Sequence, residues 1–67
     1  MSNIILNGKP HAVAERMTIT GLLEELGLAG KRLAVERNRS IVPRSAHATT
    51  VLVEGDVVEI VQAIGGG

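Results

Sequence analysis

The chain has 67 residues, no cysteine, no aromatic residue, and seven Lys+Arg balanced by seven Asp+Glu. That length holds one domain and no second core, and the missing cysteines exclude disulfides and thiolate metal sites while suiting a reducing cytosol. Zero net charge and zero aromatic content remove the footprint and the stacking platforms of a nucleic-acid binder, and no apolar run nears the ~20 residues of a membrane span.

The first predicted element is a short strand through Ile4-Ile5-Leu6, closed by Asn7-Gly8. Asn-Gly after an apolar run signals a hairpin, because both residues tolerate positive φ. Lys9–Val13 forms the return strand, and Pro10 marks it as irregular or at an edge. The period then changes. Ile19, Leu22, Leu23 and Leu26 fall at i, i+3, i+4 and i+7, the stripe of an amphipathic helix within 17–28. Thr18 is its N-cap, Met17 and Leu22 occupy the staple positions, and Gly27 ends it with Leu28 folding back onto Leu23. Gly21 inside this helix costs some stability and suggests close packing there.

Leu33–Glu36 reads as a third strand, 38–40 as a turn, and Ile41-Val42 as a brief fourth strand stopped by Pro43. Residues 45–50 are loop or a single helical turn, 51–53 a short apolar run, and Glu54-Gly55-Asp56 a turn into a last strand over 57–62. A helix that follows a hairpin must cross the sheet to bury its stripe. The last strand then lies parallel to the first, with Ile60 against Ile4–Leu6. The fold predicted is α+β, a ubiquitin-like β-grasp with a mixed sheet and one main helix across it, although the pattern also admits other small α+β folds. The expected core is Ile4, Leu6, Leu22, Leu23, Leu26, Val35, Val58 and Ile60. Residues 1–64 form the domain and 65–67 a flexible tail.

That tail, Gly65-Gly66-Gly67, connects nothing if the chain ends there. It then offers a bare α-carboxylate at Gly67 on a backbone thin enough for a narrow slot. Extended, Ile64–Gly67 reaches roughly 10–14 Å from the body. A frayed terminus is the alternative, but a tail launched directly from a strand is presented. With Val58 and Ile60 facing inward, alternation turns Val57, Glu59 and Val61 outward. With Ile64 they outline a partner-docking face, or else an ordinary strand surface. His11 and His47 have neither cysteine nor a carboxylate cluster nearby and read as exposed or structural. Arg44 suits a structural or docking salt bridge.

Several pieces together resemble the ThiS family of thiamin-biosynthesis sulfur carriers. They are Ile4-Ile5-Leu6-Asn7-Gly8, Thr20-Gly21-Leu22-Leu23-Glu24-Glu25-Leu26, Ala34-Val35-Glu36 with Asn38, and Ile41-Val42-Pro43-Arg44-Ser45. Glu54-Gly55-Asp56 and the run from Glu59 to Gly67 complete the match along the whole chain. The resemblance implies a carrier with no catalytic residue, no bound cofactor and no metal. Gly67 would be adenylated by an E1-like (ThiF-like) enzyme that uses ATP. A cysteine desulfurase or other persulfide donor would convert it to a thiocarboxylate, and a ThiG-like thiazole synthase would accept the sulfur. Gly65 and Gly66 would serve tail recognition. The implied setting is cytoplasmic, without nucleic acid or membrane. A molybdopterin-synthase small subunit (MoaD-like), a ubiquitin-like modifier and an inert β-grasp binding module are the alternatives.

Overall fold

Five strands and one α-helix are built from residues 1–62, the part of the chain that the computed structural model describes. In chain order they are β1 (Ser2–Leu6), β2 (Lys9–Val13), α1 (Ile19–Glu25), β3 (Leu33–Arg37), β4 (Ser40–Val42) and β5 (Val57–Gln62), with a 3₁₀ turn at Arg44–Ala46. The predicted tail, and the boundary at 64/65, lie outside the described residues.

The local signals act as their chemistry dictates. Asn7 and Gly8 both have positive φ, 48° and 84°, as a two-residue hairpin turn twisted to match its strands requires. Thr18 Oγ1 accepts from the Gly21 amide at 3.0 Å and satisfies one of the free donors of α1. At the other end the Leu28 amide donates to Leu23 O at 2.8 Å and the Gly27 amide to Glu24 O at 3.1 Å, with Gly27 at φ 75°. That is a Schellman ending. A Cβ on Gly21 would stand 2.8 Å from Met17 Sδ, so this helical glycine marks a close approach.

The sheet order is β2-β1-β5-β3-β4, mixed, with β5 parallel to β1 and antiparallel to β3. This is the β-grasp arrangement. Pro10 sits on edge strand β2, where a missing donor is tolerated. The second hairpin turns on two residues, Asn38 (φ 51°) and Arg39 (φ 70°), and Ser40 already belongs to β4.

One register differs from expectation. The β1–β5 pairs are Ile5–Val57 and Leu6–Val58, whereas the Cα partner of Ile60 is Val35 on β3. Strand β1 ends at Leu6, before it can reach Ile60, because Asn7 has entered the turn.

Helix α1 lies across one sheet face and buries Ile19, Leu22 and Leu23 against Ile4, Val13, Val35, Leu52, Val58 and Ile60. Each such side chain contributes about 1.5–3 kcal/mol on full burial. With no disulfide to assist, this aliphatic cluster carries the stability of the domain. Leu6 and Leu26, expected in it, lie half-buried at its rim. Leu6 ends a strand and Leu26 caps the helix, and both positions open toward solvent. Leu52 is the unforeseen member. Its amide donates to Met17 O at 2.8 Å, and the Thr18–Val51 bridge holds this connection under the helix start.

Candidate functional site

Strand β5 leads into the glycines and occupies the centre of the sheet, so its outward face is flanked by strands on both sides. Val58 is fully buried and Ile60 is buried at the helix side, while Val57, Glu59 and Val61 are exposed on the opposite face. The alternation places these three as predicted. Ile64, Gly65, Gly66 and Gly67 lie outside the described residues.

The register extends this face across neighbouring strands. Val57 lies beside Ile5, which is paired to Pro10; Glu59 lies opposite Glu36, which is paired to Ile41; Val61 lies opposite Ala34. Val61 and Ile41 are 61% and 63% exposed, large values for aliphatic side chains on a sheet. The outer surface therefore has apolar rows at both ends and a carboxylate pair between them. Like charges directly opposite on antiparallel strands repel. Among the described residues the ion pairs lie elsewhere, at Met1–Glu15, His11–Glu25 and Arg37–Asp56. Glu36 and Ile41 belong to this face but escaped the sequence reading, because only the β3 register shows what stands opposite Glu59.

Two asparagines hold β5 in place. From the β3–β4 turn, Asn38 Oδ1 accepts from the Val57 amide at 2.9 Å, Nδ2 donates to Asp56 Oδ1 at 3.0 Å, and its amide donates to Val57 O at 2.7 Å. From the β1–β2 turn, Asn7 Oδ1 accepts from the Ile60 amide at 2.7 Å, and Nδ2 donates to Ile60 O at 3.4 Å. Asp56 is buried and also accepts from Arg37 Nε and from the Val53 amide, each at 2.9 Å. Burial pushes its carboxyl pKa up. The hydrogen bonds from Val53, Asn38 and Arg37, with the guanidinium charge, outweigh this and hold it below the ordinary value.

The histidines are structural or peripheral. His47 is buried, with Nε2 at 3.0 Å from Val42 O, and His11 Nε2 lies 3.7 Å from Glu25 Oε1. Arg44 lines a cavity of about 210 Å³ with Lys31 and His47 over Leu23, Leu28 and Leu33, and forms no ion pair among the described residues. A larger groove of about 480 Å³ opens beside the end of β5, between Leu26 and Leu28 on one side and Ile60–Gln62 on the other, with Asn7 at its margin. Among the described residues no cluster of three or more His, Cys, Asp or Glu could hold a metal ion, and no helix is long and apolar enough to cross a membrane.

A model of the ThiS family matches residues 4–67. The chain is 47% identical over 64 residues to a thiazole synthase of Magnetococcus marinus, a match covering 96% of this chain and 20% of that protein. It thus spans about a fifth of the thiazole synthases it matches. It is 40% identical over 50 residues to the sulfur carrier protein ThiS of Bacillus subtilis, covering 75% of this chain and 76% of that one. A crystal structure of a thiamine biosynthesis protein (ThiS) from Geobacter metallireducens superposes with TM-score 0.83 at 38% identity, over 97% of this chain and 99% of that one.

Proposed function

This chain belongs to the ThiS family, and on that premise we propose that it is a sulfur carrier of thiamine biosynthesis, with the carboxylate of Gly67 as its working group. The observation that carries the reading is the extent of the family match, which runs over the glycines as well as the folded body.

The chemistry follows from the carboxylate. With a pKa of about 3.3–3.7 it is ionised at neutral pH and resists nucleophiles. An E1-like adenylating enzyme removes that resistance. The Gly67 carboxylate attacks the α-phosphorus of ATP, pyrophosphate leaves, and a mixed anhydride with AMP results. The terminal sulfur of a persulfide from a cysteine desulfurase attacks the carbonyl and AMP leaves. A second thiol then cleaves the acyl disulfide, becomes oxidised to a disulfide, and frees the thiocarboxylate. Thiazole synthase accepts that sulfur. Glycine at 65, 66 and 67 keeps the carbonyl unhindered and lets the backbone lie flat in the partner's slot. No residue of this chain catalyses a step, and the absence of cysteine suits a cytoplasmic carrier.

Docking falls to the exposed face of β5, through Val57, Glu59 and Val61 with Ile64, extended by Ile5, Glu36 and Ile41. Exposed aliphatics framing charged groups suit a partner with an apolar surface and a basic side chain. Thiazole synthases that include a stretch similar to 96% of this chain support that enzyme as a partner, since units joined in one polypeptide meet at high effective concentration.

The test is incubation with adenylating enzyme, ATP and a persulfide donor, read by intact mass. The chain with a free Gly67 carboxylate gains the mass of one oxygen-to-sulfur exchange. A chain lacking Gly67 falls about 3.3–3.6 Å short of the activating site, and a chain extended beyond Gly67 has no carboxylate there, so neither gains sulfur. Equal sulfur gain by the shortened or extended chain overturns the reading.

A further inference from the structure

The Asn7-Gly8 turn accounts for the backbone of residue 7 but not for its side chain. Among the described residues, the last main-chain hydrogen bond from the β1 side to β5 is at this residue, where the Asn7 amide donates to Val58 O at 2.9 Å. A continuing parallel strand would next offer the main-chain carbonyl of residue 7 to the amide of Ile60. With φ at 48°, Asn7 has turned into the hairpin instead. Its side-chain amide supplies the missing rung in both directions, accepting from Ile60 N at 2.7 Å and donating to Ile60 O at 3.4 Å. Beyond Ile60, the described pairing of β5 is with β3 alone, through Ala34–Val61 and Leu33–Gln62.

We propose that Asn7 is a positioning residue for the sulfur chemistry, clamping Ile60 on the β1 side and so fixing where the chain leaves the sheet on its way to Gly67. The role rests on the carrier reading above. Ile60 is seven residues before Gly67, and a carbonyl must meet an activated phosphate in line. Among the described residues Ile60 is the last of β5 held from the β1 side, so its placement sets where the chain leaves the sheet. A misplacement of about 1 Å at a reacting group can cost a factor of about 100 in rate. Asparagine satisfies two demands at one position. It tolerates positive φ, and its amide carries both an acceptor and a donor. Glycine meets only the first demand. Aspartate meets the first and keeps the acceptor that faces Ile60 N.

The experiment compares the parent with Asn7→Gly, Asn7→Asp and Val13→Ala, all at a temperature where each is fully folded. Val13→Ala removes core packing on β2, two strands from β5, and controls for lost stability. Two readouts are taken: amide exchange at Ile60 relative to Val58, and steady-state adenylation by the activating enzyme. Asn7→Gly should speed Ile60 exchange and lower kcat by about tenfold or more, with KM changed less than about twofold because the docking face is intact. Asn7→Asp should keep Ile60 protected and retain most of kcat, and Val13→Ala should leave kcat unchanged. Parental kcat in Asn7→Gly, or an equal fall in Val13→Ala, overturns the role given to Asn7 while leaving the carrier reading in place. A parent that forms no adenylate overturns the carrier reading itself, and the positioning role with it.

Discussion

The two hairpins share one turn chemistry and use it on different parts of β5. Each turns on two residues of positive φ with asparagine first, Asn7-Gly8 in one and Asn38-Arg39 in the other. Each asparagine reaches past its own hairpin to the central strand. Asn38 grips the start of β5 and is joined there by a buried carboxylate and a guanidinium. Asn7 grips Ile60 alone, two residues before the strand ends. The charged clamp secures the fold and the neutral one directs the strand's exit. Similar turns thus serve stability or presentation according to what the third strand offers them.

The sharpest break of the comparison removes the partner that only Asn38 has. Asp56→Ala leaves Arg37, Asn38 and the Val53 amide without their acceptor, at a cost of about 3 kcal/mol. Denaturant unfolding should show a fall in midpoint with little change in slope. Asn38→Gly and Asn7→Gly keep their turns and lose only the side-chain bonds, so each should cost about 1–2 kcal/mol. They separate on adenylation, where Asn7→Gly lowers kcat and Asn38→Gly does not.

Acid should dissolve one clamp and spare the other. The folded pKa of Asp56 is held below its ordinary value of 3.8. Its contribution is therefore fully present above the unfolded value and disappears as pH falls through the lower folded value. Melting temperature should decline over that acidic window, and Asp56→Asn should flatten the decline. The smallest expected effect is on the outer face. Glu36→Gln relieves the repulsion with Glu59 and should stabilise the domain by about 0.2–1 kcal/mol, yet weaken docking to a basic partner surface. A less stable variant would deny the repulsion with Glu59, and one that binds as tightly as the parent would remove Glu36 from the docking face.

What was legible in the sequence was whatever repeats or acts locally. The stripe Ile19, Leu22, Leu23, Leu26 and the Gly27 ending need only a helical period. The outward turn of Val57, Glu59 and Val61 needs only alternation. What stayed hidden depends on pairs distant in sequence. Asp56 meets Arg37 and Asn38 across 19 and 18 residues, and Asn7 meets Ile60 across 53. Leu52 sits in an apolar run too short to show a period, and Glu36 joins the candidate site only through the β3–β5 register. Hydrophobic pattern reports which way a side chain faces. It does not report which residue stands next to it.

The central place of β5 also has a mechanical consequence. A pull along the axis of β5 meets a strand bonded to β1 on one side, at Val57 and Val58, and to β3 on the other. Inter-strand bonds lie across that axis or at a slant to it, so the pull acts in shear on both ladders together and cannot peel one rung at a time. An edge strand such as β2 or β4 has neighbours on one side only and would yield to a smaller force. Strand β5 is thereby placed where the domain resists tension best.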